Sequence, residues 1–260
     1  MLAALQQMKR DGRKIAAVVA YDYQIAQIVD RAGVDLVSVG DSVGVTLWGH
    51  GSQREVTLDQ MTLVCQAVRR GVTRALVSCD LPFGPIEQGP EAALEAAKRL
   101  IEQGGADLVK VDGAASCPDT LRAIAGAGIA VWAQFGIAPH TADGGLNPSA
   151  PAPDAATSEP LVGDAKLLQD AGAAMLDFTN SGSVAGPAVV RAVSIPVLGG
   201  LGGGPWLDGR IRSVVAAIGY AASALEDSTP RYANVAEATL RAIQAFCDDV
   251  RGARQIRGGR

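Results

Sequence analysis

Three carboxylates and one lysine stand at matched points of successive apolar runs. VSVGDS carries Asp41 with Ser42, LVSCDLPF carries Asp80, and LVKVDG carries Lys110 and Asp112. Each group sits at the end of a run short and apolar enough to be a buried strand. Carboxylates gathered from neighbouring strand ends repel one another unless something neutralises them. A hard divalent cation does so most simply, and an oxygen-only donor set favours Mg2+ over zinc. Asp41, Asp80 and Asp112 are therefore the candidate metal ligands. Lys110 lies two residues before Asp112 and so shares its strand face. An inward lysine there pairs with the aspartates or grips a substrate carboxylate. One aspartate after a strand is an ordinary turn residue; three in register beside a lysine make a candidate site.

Two further runs add polar groups. Gln134 lies near the end of VWAQF, where it faces the mouth of a barrel. In MLDFT, alternation puts Asp177 and Thr179 on one face. An outward Asp177 would meet a packed helix, so the inward orientation is expected. The glycine run within VLGGLGGG, residues 197–204, lets backbone approach a ligand, an anion among the options, or simply turns the chain. It lacks the GxGxxG spacing, and a dinucleotide site is rejected. No G-x-S-x-G, HExxH or P-loop occurs. With His50 and His140 as the only histidines, a three-His zinc site cannot be built. Neither has an obvious nucleophile beside it, and both read as loop residues.

The elements that must position these groups alternate. Strand-like runs fall at Ile15–Ala20, Leu36–Val39, Ala75–Cys79, Leu108–Val111, Ile129–Ala133, Ala174–Phe178 and Ile195–Leu198, with a weaker eighth at Val214–Ile218. Between them, Tyr23–Ala32, Leu58–Arg70 and Glu91–Gln103 have helical periodicity, with Thr57 as an N-cap. The phrases AGVDLVSVG, GGADLVKVD, AGIAVWAQF and AGAAMLDFT each end a helix on a small-residue turn and begin a strand. About eight such units in roughly 250 residues predict an α/β fold of the (β/α)8 TIM-barrel type, as one domain spanning 1–260. A doubly wound open sheet is the alternative. The Pro/Ala/Ser-rich stretch Asp143–Pro160 reads as a long loop on the active-site face, a lid or a tolerated insertion.

Composition removes other classes. The 260 residues are 48% hydrophobic, enough for a large core, so disorder is excluded as the dominant state. A net charge of -4 and only 4% aromatics argue against a nucleic-acid partner. No apolar run approaches the ~20 residues that span a bilayer, and the amino terminus lacks the pattern of a secretory signal. Cys65, Cys79, Cys117 and Cys247 form no CxxC pair and read as reduced thiols. A cytoplasmic protein with no membrane partner is expected.

At these same residues the chain resembles the ketopantoate hydroxymethyltransferase family. AYDY, GDS-x-G, GH, REVTLDQM, DLPF and ADLVKVDG follow one another in the family's order over the first half. The second half is weaker but collinear through VWAQFGIAPH, AGAAMLDFT and SIPVLGGLGGG. The resemblance implies a TIM barrel of the phosphoenolpyruvate/pyruvate superfamily, a homo-oligomer, and Mg2+ chelated by a 2-oxo acid. It implies transfer of a one-carbon unit from 5,10-methylenetetrahydrofolate to 2-oxoisovalerate. Asp41 and Asp80 match metal-associated carboxylates, Ser42 and Lys110 match groups that hold the keto acid, and Asp112 stands where the family has Glu.

The departures lie on the other side of the site. The family's base, a Glu at the end of the sixth strand, is replaced by Thr179. A hydroxyl is a poor base at neutral pH. The family's His at the end of the fifth strand is replaced by Gln134, and its GGYKVQG segment gives way to the Pro/Ala-rich stretch. Three readings follow. One is a divergent aldolase- or lyase-type enzyme on another 2-oxo acid, with Asp177 as the replacement base. The second is retained hydroxymethyltransferase activity, and the third a non-catalytic keto-acid binder.

Overall fold

The computed structural model describes residues 2–137 and 153–258. The chain comprises two compact units, Met1–Ile211 and Arg212–Arg260. The strands are β1 (Ile15–Val19), β2 (Leu36–Val39), β3 (Leu76–Asp80), β4 (Leu108–Val111), β5 (Val131–Gly136), β6 (Met175–Thr179), β7 (Val197–Leu198) and β8 (Gly209–Ser213). They follow the order β7-β6-β5-β4-β3-β2-β1-β8. Together the eight parallel strands form a nearly closed barrel, as expected of a TIM barrel. Near the seam, Ile15 N–H donates to the Asp208 carbonyl at 3.0 Å, and Asp208 N–H to the Val197 carbonyl at 2.9 Å.

Period-two alternation sorts the barrel interior into layers. At the amino-terminal end of the strands, Ile15, Leu36, Leu76, Leu108, Trp132, Met175, Leu198 and Ile211 form one apolar cluster, with every strand contributing. Leu5 and Met8, on the helix Leu2–Arg10, belong to the same cluster and stop that end of the barrel. Two residues further along the strands the interior turns polar, with Ser38, Ser78, Lys110 and Asp177 all buried.

Carboxylates also fasten the amino-terminal ends of the strands. The Asp of AGVDLV, Asp35, accepts from Ala16 N–H in β1 at 2.9 Å. The Asp of GGADLV, Asp107, accepts from Val77 N–H in β3 at 2.8 Å and from Arg69 at 3.0 Å. Asp208, before β8, accepts from Val197 N–H in β7 at 2.9 Å and from Lys9 Nζ at 2.9 Å. Asp30, buried on the helix Tyr23–Arg31, accepts from the backbone N–H groups of Thr73, Arg74 and Ala75 and from the Thr73 hydroxyl. Burial works against its charge, but these donors outweigh it and hold the carboxyl at about 2.

Two expectations are corrected. Val214–Ile218 is a short helix rather than the eighth strand, closed by Gly219 in the left-handed conformation. Its apolar run mimics a strand, whereas the real β8, GRIRS, hides its pattern behind two exposed arginines. Gly209 is required there, because a Cβ would lie 2.3 Å from the Ile15 carbonyl oxygen. The Asp143–Pro160 stretch is not a loop throughout. Residues 155–160 open the helix Ala155–Asp170, which Asp154 caps by accepting from Thr157 N–H at 2.9 Å while Thr157 Oγ1 accepts from Asp154 N–H at 2.9 Å. Pro160, early in that helix, removes one backbone donor without ending it. The remainder of the expected loop before residue 153 lies outside the described residues, as does His140.

Candidate active site

Asp80 ends β3, Asp112 follows β4 directly, and Asp41 follows β2 after Gly40. The register sets Asp80 opposite Lys110. One oxygen from each of Asp41, Asp80 and Asp112 lies within 4.8 Å of the others, and Asp41 and Asp80 are buried. Gly40 permits this closeness, since a Cβ there would meet Val19 Cγ1 at 2.9 Å and Ser42 Oγ at 3.0 Å. Asp41 N–H in turn donates to Asp80 Oδ2 at 3.3 Å.

Among the described residues, Lys110 Nζ is the counter-charge at this cluster. It lies 3.4 Å from Asp80 Oδ2 and 3.9 Å from Asp177 Oδ2, and it donates to Asp112 Oδ1. Burial pulls its pKa down, but the aspartates around it win and raise it well above the ordinary lysine value, so it stays charged. One lysine cannot neutralise four carboxylates. Burial, then repulsion from Asp112 and Asp80, holds the Asp41 carboxyl well above its usual range. Burial likewise pushes Asp80 up to about 6 against the pull of Lys110. Asp177, raised by burial above all, lies at about 7. Among the described residues, Asp80 Oδ1 and Asp177 Oδ1 are buried with no hydrogen-bond partner. Deeply buried carboxylate oxygens without donors mark a place where a ligand belongs. An all-oxygen set of three carboxylates, one with an orphaned oxygen, fits a hard divalent cation.

The other sequence-predicted residues fall around this cluster. Asp177 points inward, as alternation requires, and pairs with Gln134 in register. Gln134 Oε1 accepts from Gly113 N–H at 2.8 Å, and its Nε2 donates to Thr179 Oγ1 at 2.8 Å. Ser42 Oγ is 2.8 Å from the Tyr21 hydroxyl. Tyr21 was not singled out from the sequence, although it stands in AYDY just past β1. The next residue, Asp22, caps the following helix by accepting from Ile25 N–H at 2.9 Å. His50 stays outside the cluster, with Nε2 at 3.2 Å from Gln60 Nε2. The glycine run is explained by packing. A Cβ on Gly199 would lie 2.5 Å from the Phe178 carbonyl, and one on Gly204 2.3 Å from the Trp206 ring. Its carbonyls at Gly199 and Gly200 accept from Arg210, and that of Leu201 accepts from Asn180 N–H.

The barrel resembles solved structures at low sequence identity. A putative phosphonomutase from Burkholderia cenocepacia superposes with a TM-score of 0.64 at 17% identity, covering 97% of this chain and 98% of that one. A 2,3-dimethylmalate lyase, a member of the PEP mutase/isocitrate lyase superfamily, gives 0.62 at 15% identity, covering 99% and 89%. In sequence, the 3-methyl-2-oxobutanoate hydroxymethyltransferase of Cyanothece sp. is 36% identical over 252 residues, covering 95% of this chain and 94% of its own. The enzyme of the same name from Salinibacter ruber is 35% identical over 247 residues, covering 95% and 93%. The profile of the ketopantoate hydroxymethyltransferase family matches residues 1–254. With the barrel, the strand-end carboxylates and this full-length match together, the chain belongs to the ketopantoate hydroxymethyltransferase family.

Proposed function

We propose that this chain is a Mg2+-dependent enzyme that activates carbon 3 of a 2-oxo acid for carbon–carbon chemistry. One-carbon transfer to 2-oxoisovalerate or a related keto acid, with 5,10-methylenetetrahydrofolate as co-substrate, is the family-typical form. The observation that carries this reading is the acidic triad Asp41, Asp80 and Asp112, with oxygens within 4.8 Å of one another. These three residues would hold the cation, which when bound polarises the 2-oxo group and stabilises negative charge on its oxygen.

The chain's own groups supply the rest. Lys110, kept charged by its aspartates, is a cation for the substrate carboxylate. Ser42, aligned by the Tyr21 hydroxyl, is a hydrogen-bond partner for the keto acid. Asp177 is the proton acceptor this site offers. Its pKa of about 7 matches what a general base needs near neutral pH, and its Oδ1 is not committed to another group among the described residues. Gln134 and Thr179 shape the side of the site away from the triad. The reaction is expected to proceed in a homo-oligomer, with no nucleic-acid or membrane partner, in the cytoplasm. Among the described residues no helix is long and apolar enough to cross a membrane.

Deuterium exchange at C3 of 2-oxoisovalerate, with Mg2+ and no second substrate, tests the reading. Exchange is expected, and Asp177→Asn should abolish it. Exchange without formation of ketopantoate from methylenetetrahydrofolate would favour the second reading, an aldolase- or lyase-type reaction on another 2-oxo acid. That reading draws on Thr179, which by the resemblance stands where the family has its Glu base and accepts a hydrogen bond from Gln134. No exchange with any 2-oxo acid would leave only a binding role.

A further inference from the structure

The hydrogen bonds around Thr179 have a fixed direction. Gly113 N–H can only donate, so the Gln134 atom it meets at 2.8 Å is the amide oxygen. The other end of the same amide is then –NH2, which can only donate, and it reaches Thr179 Oγ1 at 2.8 Å. Thr179 must therefore accept from Gln134, and its own proton points elsewhere. Among the described residues Gln134 is the partner of this hydroxyl. Thr179 ends β6 and is half-buried, two residues beyond Asp177 on the same face. That places it ~6–7 Å further toward the mouth. It also lies across the barrel from the β2 and β3 ends that supply Asp41 and Asp80.

We propose that Thr179, oriented by Gln134, is a specificity-determining hydrogen-bond donor for an oxygen on carbon 4 of the 2-oxo acid. The inference rests on the keto-acid reading above and narrows it, from 2-oxoisovalerate to a related keto acid that carries an oxygen on carbon 4. A 2-oxo acid held by its first two carbons among the triad, Ser42 and Lys110 extends its later carbons toward β5 and β6. There it meets a hydroxyl that already accepts from Gln134 and whose proton is offered. A methyl group at that place leaves a polar donor unpaired, whereas a hydroxyl or carbonyl oxygen satisfies it. Sites built to bond a substrate oxygen reject the analogue that lacks it, because their own polar group is then stranded. Gln134 acts through Thr179 and is a positioning residue.

The test uses two near-isosteric probes, 4-hydroxy-2-oxobutanoate and 2-oxopentanoate, titrated calorimetrically into the full chain at saturating Mg2+. The wild type is expected to prefer the hydroxy acid by about tenfold or more. Thr179→Val should erase that preference while leaving 2-oxopentanoate affinity within about twofold; Thr179→Ser should retain it. Gln134→Glu is the sharper variant. Its carboxylate still accepts from Gly113 N–H, but its second oxygen now accepts from Thr179 and draws the proton away. The preference should vanish although the Thr179 hydroxyl remains. Unchanged thermal melts establish that each variant is folded. A wild type with no preference, or a preference that survives Thr179→Val, overturns the assignment of Thr179 and leaves the keto-acid site standing. Failure of both acids to bind overturns the keto-acid site itself, and this inference with it.

Discussion

The two ends of the barrel use the same side chain in opposite ways. At the amino-terminal end, Asp30, Asp35, Asp107 and Asp208 each accept from backbone N–H groups of neighbouring elements. At the carboxyl-terminal end, Asp80 and Asp177 keep buried oxygens with no donor among the described residues, and burial raises both above their ordinary range. A carboxylate surrounded by donors is a fastener, stabilised as an anion. A carboxylate crowded by other carboxylates is a cost to the fold that Lys110 offsets only in part and a bound cation offsets further. Function therefore concentrates where hydrogen bonding is incomplete, and rigidity where it is complete.

Substitutions at the two ends should separate activity from stability. The largest effect is expected for Asp80→Asn, which should raise the Mg2+ needed for C3 exchange by more than ~100-fold. Its metal-free melting temperature should not fall, since a carboxyl raised by burial becomes a neutral amide while Lys110 keeps Asp112 and Asp177. A loss of stability without loss of Mg2+ dependence would break the contrast. Asp30→Asn should do the reverse. The displacement of its carboxyl from 3.8 to about 2 corresponds to about 2 kcal/mol. Chemical denaturation should read a loss of that order, with exchange per folded molecule unchanged.

The pH dependence is a third measure, and its sign differs between the ends. The folded Asp30 carboxyl is depressed, so its contribution is complete above about 4 and is lost as pH falls toward 2. The Asp80 and Asp177 carboxyls are raised, so the folded state holds their protons more tightly than the unfolded chain does. Metal-free protein should lose stability as pH rises from about 4 through 7, and Asp177→Asn should flatten part of that slope. Parallel slopes in wild type and variant would show that Asp177 is not strained. The smallest effect is expected for Asp35→Asn, which alters an exposed bond to one backbone N–H. About 1 kcal/mol in denaturation, with no change in exchange, would place it with the fasteners.

The sequence reveals the active end more fully than the closed end. Asp41, Asp80, Lys110 and Asp112 were legible because strand alternation and strand-end position are both one-dimensional signals. The inward face of Asp177 followed from the same alternation. The Gln134–Thr179 bond was not legible, because it depends on the β5–β6 register and on which end of an amide meets Gly113. The fasteners Asp35 and Asp107 sit in phrases that visibly repeat, yet their acceptor role needs a neighbouring strand's N–H at the right height. β8 escaped because two of its five residues are exposed arginines, while the apolar helix after it imitates a strand.

The stopper helix also bears on the order in which the protein is made. Lys9, from that helix, bonds to the Val190 carbonyl at 3.1 Å and to Asp208 at 2.9 Å. A segment made well before its partners thus waits for groups almost 200 residues later in the chain. Until they emerge, Leu5 and Met8 have only part of their apolar seat, and β1 lacks its neighbour β8. Contacts of such long sequence separation form late and slow the final step. Until then the nascent chain carries an amphipathic helix with an uncovered apolar face and an open strand edge, both of which invite aggregation.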